Sequence, residues 1–249
     1  MPYVQGLYYR DVGRGDPPLV ILHGGWGYEF YPFDDAIAGI ARRFVIPDRT
    51  GYGKSPPRES LPPRFHDEFA QETERVLAAL GIDRCILWGH SDGAVIAALC
   101  AIRDPARYAG IVLESIHLER EKPRSREFFT KMAQDPDGFG SKVTAKLAAE
   151  HGDNWRTIIR AGGEAWLHIA AHPEDDLYAS RLDEVSVPTL VLHGAADPRT
   201  EPGELDRLRR DVPHAEIEMI AGAGHSPHNE RGSAATCTRL VRDFVARLA

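Results

Sequence analysis

Five short runs of unbroken apolar character punctuate the chain. They are Leu19-Val20-Ile21-Leu22, Phe44-Val45-Ile46, Cys85-Ile86-Leu87-Trp88, Gly110-Ile111-Val112-Leu113 and Thr189-Leu190-Val191-Leu192. None alternates apolar with polar, so each predicts a strand covered on both faces, as in a parallel sheet. Residues 3–12 also read as strand, ending at the turn signal Gly13-Arg14-Gly15-Asp16-Pro17-Pro18. Ala215 to Ile220 reads as the last strand. Helical periodicity fills the gaps. Ala36 to Arg43 predicts a short helix. Phe65 to Leu80 predicts a longer one, with Phe69, Val76 and Leu80 on one face and Gly81 as its stop. A helix begins at Gly93 and ends at Asp104-Pro105. Glu204 to Arg210 is another, and Ala234 to Leu248 a third, with Leu240, Val241, Phe244 and Leu248 on one face. Strand and helix alternate, which predicts an α/β fold with a mostly parallel, doubly wound sheet.

The alternation lapses between residues 116 and 183. That stretch holds no clear strand, many charges, and helix-like pieces carrying Phe128, Phe129, Trp155, Trp166 and Leu167. It reads as a helical cap inserted into a core made of residues 1–115 and 184–249. Composition narrows the role. With 43% hydrophobic residues, 249 residues can bury a sizeable core, and a net charge of −7 without a basic run argues against nucleic acid as a partner. No apolar run approaches the roughly 18 residues of a membrane span. The Met1-Pro2-Tyr3 start shows no basic-then-apolar signal region. Cys85, Cys100 and Cys237 are an odd set without metal spacing, so buried free thiols are expected. These features predict a cytoplasmic monomer or homodimer, with no metal, no cofactor and no membrane contact.

The conspicuous polar motifs all follow strands, and in open α/β sheets the carboxyl ends of strands carry the site. His23-Gly24-Gly25-Trp26 follows the first apolar run. Gly89-His90-Ser91-Asp92-Gly93 follows the third. His193-Gly194-Ala195-Ala196-Asp197 follows the fifth, and Gly222-Ala223-Gly224-His225 follows the last strand. Gly-x-Ser-x-Gly between strand and helix is the nucleophile-elbow pattern. Asp48-Arg49-Thr50-Gly51-Tyr52-Gly53-Lys54-Ser55 completes the series. Taken together and in this order, the chain resembles the α/β-hydrolase fold superfamily, in its serine-hydrolase branch. The Ser91-Asp92-Gly93 elbow and compact cap are similar to the biphenyl hydrolase-like and valacyclovir hydrolase-type esterases. The resemblance covers nearly the whole chain outside the insertion and implies a sheet of about eight strands. The cap matches that subgroup by no motif, so substrate choice does not carry over.

Roles follow from charge flow. Ser91 must lose a proton as it attacks a carbonyl, and His225 is the base, with a reference pKa of about 6.5 that puts an acid limb near pH 6 to 7. Asp197 holds the imidazole in one tautomer and stabilises the imidazolium. Asp183 and Glu201 are its rivals in sequence. The resemblance implies two oxyanion donors, the Asp92 N–H and an N–H of the loop after the first apolar run, with Gly25 chosen and Trp26 the alternative. His228 is a rival base. His23 and His193 read as structural, His90 as a brace of the turn, and Asp48 and Arg49 as loop ties. Trp26, Phe128, Phe129 and Trp166 are candidates for the acyl pocket, with an ordinary cap core as the alternative. Glu114 is a candidate partner for a substrate amine, against a plain hydrogen-bonded carboxylate. The expected function is hydrolysis of a small ester-like molecule through an acyl-enzyme. Thioesterase, lactonase or C–C bond hydrolase chemistry, or a triad-bearing ligand receptor, are the alternatives.

Overall fold

The computed structural model describes residues 2–248. Met1 and Ala249, the expected outer ends of the core, lie outside them. Eight strands form one sheet: β1 (Tyr3–Val4), β2 (Leu7–Val12), β3 (Leu19–Leu22), β4 (Phe44–Pro47), β5 (Cys85–His90), β6 (Tyr108–Glu114), β7 (Thr189–Gly194) and β8 (Glu216–Ile220). Their spatial order is β1-β2-β4-β3-β5-β6-β7-β8. β1 and β2 are antiparallel to their neighbours, and every pairing from β4 to β8 is parallel. The expected strand over 3–12 is a hairpin, turned at Gln5 and Gly6, both at positive φ. Two such residues make the turn whose twist matches a two-stranded ribbon. The core helices are α1 (Asp34–Gly39), α2 (Phe65–Ala79), α3 (Asp92–Arg103), α7 (Glu204–Asp211) and α8 (Ala234–Ala246). α1 starts and ends earlier than its apolar pattern suggests. Asp34 and Asp35 favour its N-terminus. At its far end Arg42 and Arg43 turn to the Asp16 carbonyl and the Asp11 carboxylate, and the chain straightens into β4.

The unbroken apolar runs have the expected explanation. Val20, Leu22, Val45, Leu87, Leu113 and Val191 face one side of the sheet and pack with α2 and α3. Leu19, Ile21, Phe44, Ile86, Trp88, Val112 and Leu190 face the other and pack with α1 and α8. Neither face meets water, so period-two alternation vanishes from the sequence. Between β6 and β7 the chain forms α4 (Arg126–Gln134), α5 (Ser141–His151) and α6 (Trp155–Ala170). Phe129, Met132, Ile158, Ile159, Trp166 and Ile169 join the same apolar cluster as α3, so these helices sit on the core and do not form a separate unit. No helix among the described residues is long and apolar enough to cross a membrane. All three cysteines are free and buried.

Candidate active site

β5 delivers Ser91 into a conformation an L-residue rarely adopts, with φ 56° and ψ −119°. Such a backbone persists only where its surroundings hold it. Here the Ser91 N–H donates to the Glu114 carbonyl of β6 at 2.9 Å, while Ala94 N–H closes the first turn of α3 on the Ser91 carbonyl. The glycines on either side are steric necessities. A Cβ on Gly89 would overlap the Gly93 carbonyl, and one on Gly93 would overlap the Leu22 carbonyl of β3. The turn therefore packs against its own helix and against the neighbouring strand with no room for a methyl.

Two loops from later strand ends meet this serine. His225 Nε2 is 3.1 Å from Ser91 Oγ, and His225 Nδ1 is 2.8 Å from Asp197 Oδ2. The other carboxylate oxygen of Asp197 accepts the Arg199 N–H at 2.9 Å, which fixes its orientation. All three side chains are buried. Neither rival acid approaches His225. Glu201 accepts the Arg124 N–H, and Asp183 lies in the short helical turn that leads into the opposite end of β7. His228 is also occupied elsewhere. Burial drives the His225 pKa well below its ordinary value, reinforced by the positive charge of Arg199 and by the neighbouring His90 and His193.

The amides of Gly25, Trp26 and Asp92 meet no acceptor among the described residues. The first two follow β3 and the third opens α3, beside Ser91. A Cβ on Gly25 would sit 2.5 Å from Asp92 Oδ2, so only glycine lets the loop come this close. Arg49 ties that loop down through the His23 and Gly24 carbonyls, and Asp48 receives Arg10 and the Lys54 N–H. His23 bonds the Gly24 carbonyl, and His193 bonds Thr200, both as structural residues. From the insertion, His151 Nε2 donates to the Trp26 carbonyl at 3.0 Å.

A small cavity of about 30 Å³ lies over Ser91. Trp26, Phe128, Phe129 and Trp166 all line it, together with Gly25 and Asp92. Trp26 stacks on Phe128 at 5.5 Å, and Phe129 stacks on Trp166 at 5.2 Å. The Trp166 indole N–H also donates to Asp92 Oδ1 at 3.0 Å, and His66 approaches the same oxygen at 3.1 Å. Burial works against charge on Asp92, but the His66 hydrogen bond and charge, with Arg49 and Trp166, outweigh it and hold the carboxyl below its usual range. Asp92 is thus tied into a buried side-chain network with His66 and Trp166.

Glu114 is a correction. It does not reach the cavity. Its side chain is fully buried on the far side of the elbow, accepting from Trp88 Nε1 at 2.9 Å, the His228 N–H at 2.9 Å and His228 Nδ1 at 2.7 Å. A fully buried carboxylate that already holds three donors is closed to a substrate amine, and the alternative reading of it holds. His90 lies between this pair and the site. Its Nε2 is 2.9 Å from the His225 carbonyl and 3.1 Å from Ser226 Oγ, so it braces the His225 loop as well as the turn. His90, Glu114 and His228 are the one group of described residues whose ligand atoms are close enough to share a metal ion. Both His228 nitrogens and both Glu114 oxygens already have partners, so the group does not fit an ion without dismantling the brace.

Sequence reasoning missed four residues of the cavity wall: Met132 and Gly162 of the insertion, and two polar ones. His117, three positions beyond β6, brings Nε2 to 3.3 Å from Ser91 Oγ. Arg199 lies over the Phe128 ring, 4.0 Å from its centre. Both stand just past strand carboxyl ends, the rule that found the other motifs, but neither sits in a recognisable pattern.

A family model described as "Alpha/beta hydrolase family" matches residues 19–238. Among curated proteins, the chain is similar to the serine hydrolase BPHL of Mus musculus, with 26% identity over 96% of this chain and 82% of the relative. It is also similar to a 2-hydroxy-6-oxononadienedioate/2-hydroxy-6-oxononatrienedioate hydrolase of Paraburkholderia phymatum, with 30% identity over 97% of this chain and 91% of the relative. Among solved structures, a thermophilic esterase from Thermogutta terrifontis superposes with a TM-score of 0.76 at 21% identity, over 97% of this chain and 93% of that one.

Proposed function

The chain belongs to the alpha/beta hydrolase family, and from that premise we propose that it is a serine hydrolase of small carboxylic esters working through an acyl-enzyme. The observation that carries the reading is the hydrogen-bonded series Ser91–His225–Asp197, assembled at one sheet edge on a strained elbow. Ser91 Oγ attacks the ester carbonyl while His225 Nε2 takes its proton. Asp197 accepts from Nδ1 throughout, which keeps Nε2 free as the base and steadies the imidazolium. The Gly25 and Asp92 amides, with Trp26 the alternative to Gly25, receive the oxyanion. His225 then protonates the departing alcohol, and water releases the acid. The helices over residues 116–183 act as a lid, and Phe128, Phe129, Trp26 and Trp166 give the acyl group an apolar wall.

A second reading rests on Arg199. A guanidinium on the cavity wall suits a substrate carrying a carboxylate, as the Paraburkholderia relative's dioate substrate does. One panel compares the two: p-nitrophenyl esters, a thioester, a lactone, an aminoacyl ester and a 2-hydroxy-6-oxo-dienedioate, ranked by kcat/KM. Neutral esters at the head of the ranking support the first reading. The dienedioate at the head, with its rate lost in Arg199→Ala, supports the second.

A further inference from the structure

The hydroxyl of Ser91 faces two imidazoles. His225 Nε2 is 3.1 Å from Oγ and His117 Nε2 is 3.3 Å from it. Counting hydrogens assigns the donors. The Asp197 carboxylate accepts from His225 Nδ1–H, which leaves a lone pair on His225 Nε2. The single Ser91 proton points at that lone pair. Oγ retains lone pairs of its own, and His117 Nε2–H donates to one of them. His117 is held neutral, first by burial and then by the nearby Lys122 charge, so it is a donor that keeps its proton. Its ring is fixed on several sides. It stacks on His225 with ring centres 5.6 Å apart, meets Trp166 edge-on at 5.0 Å, and its backbone carbonyl accepts the Tyr178 hydroxyl at 2.6 Å.

We propose that His117 is a catalytic residue of deacylation, donating Nε2–H to the Ser91 oxygen as that oxygen leaves the acyl group. The proposal rests on the acyl-enzyme reading above. In the free enzyme Oγ already accepts this N–H, so the bond contributes equally before and during attack and leaves acylation nearly unchanged. Once acylated, Oγ is an ester oxygen and a weak acceptor. Water then adds to the acyl carbon while His225 takes one of its protons. When the second tetrahedral intermediate collapses, the C–Oγ bond breaks, its electron pair returns to Oγ, and His225 hands the proton to that oxygen. Measured from the ester oxygen of the acyl-enzyme, charge on Oγ rises in this step, and a donor already aimed at it stabilises what develops. His117 begins and ends with the same proton. The long distance in the resting site is ordinary for a catalytic hydrogen bond that tightens under charge.

The test is stopped-flow turnover of p-nitrophenyl acetate with quenched intact-mass spectrometry. His117→Phe keeps the ring and removes the donor. It should lower kcat about tenfold or more while kcat/KM stays within about threefold, since the lost interaction acts in one step. A burst of p-nitrophenol and an accumulating acetyl-enzyme should accompany the fall. His117→Asn, polar but too short to reach Oγ, carries the same expectation if the Phe variant does not fold. His117→Gln, whose amide nitrogen extends about as far as imidazole Nε2, should restore deacylation. An acetyl-enzyme that decays at the parent rate in the donor-free variants overturns the role, as does an equal fall in kcat and kcat/KM. Failure of the parent and the donor-free variants alike to form an acetyl-enzyme on Ser91 overturns the ester-hydrolase reading itself, and the His117 role with it.

Discussion

Asp197 and His225 are single positions whose chemistry depends on one hydrogen bond, at 2.8 Å. Replacing the acid by its amide presents a donor to Nδ1 and favours the wrong tautomer, a change that can cost on the order of 10⁴ in kcat. Asp197→Asn should therefore lose several orders of magnitude in turnover with its fold retained. Glu201→Gln should stay within about tenfold, because Glu201 serves the Arg124 N–H and not the imidazole. Steady-state kinetics on the two variants, beside their circular dichroism, checks the assignment. The pH profile belongs to the same scale. His225 must be neutral to act as base, and protonation abolishes that. Its pKa is pushed well below the usual histidine value by burial and by Arg199, so the neutral form persists further into acid. kcat/KM should stay flat through the pH 6 to 7 range that an unperturbed histidine implies, and fall only below it. A half-maximal point at or above pH 6.5 would contradict this placement. The hydrogen-bonded series Ser91–His225–Asp197 was legible because motif residues state their backbone context. His117 and Arg199 were not, because a lone loop residue takes its meaning from what folds against it.

At the scale of elements, the joint between α5 and the loop after β3 is titratable. Glu150 near the end of α5 accepts the Glu29 N–H at 2.9 Å, and its other oxygen is buried without a partner. Burial raises its pKa to about 7, with Asp48 and Glu29 adding repulsion, and the Glu29 N–H opposing. The folded chain thus holds this proton more tightly than the unfolded one, and stability falls as pH rises between the two values. Glu150→Gln keeps the acceptor and removes the charge. It should raise Tm at pH 8 by a few degrees, at roughly 2–4 °C per kcal/mol for a chain of this size, and the gain should close near pH 5. Thermal melts of both chains across that range check it. Sequence could not show this joint, since α5 reads as an ordinary polar helix. By contrast the strand ends were readable to within a residue or two, because apolar runs stop where the sheet does. α1 was misplaced by a few residues because its terminal arginines answer to partners distant in sequence, Asp11 and Asp16.

For the whole molecule, the mostly parallel sheet and its two-sided burial followed from the alternation of strands and helices. The fit of the insertion did not, because it depends on which cap side chains meet which core residues. Trp166 illustrates the difference. It lines the cavity and also donates to buried Asp92, so Trp166→Ala costs stability as well as shape. Phe128 is half-buried and is the cleaner probe. Phe128→Ala should shift the ranking among p-nitrophenyl acetate, butyrate and octanoate while moving Tm by only a few degrees. An unchanged ranking would argue that the insertion does not shape the acyl pocket.

The central claim is that Ser91 is the covalent nucleophile, and the most direct measurement is active-site labelling. Incubating the chain with a serine-directed fluorophosphonate, followed by intact-mass and peptide mass spectrometry, should show one adduct per chain, on the peptide containing Ser91. Ser91→Ala should take up none and should lose ester turnover. An adduct on another residue, or undiminished labelling of Ser91→Ala, would contradict the account.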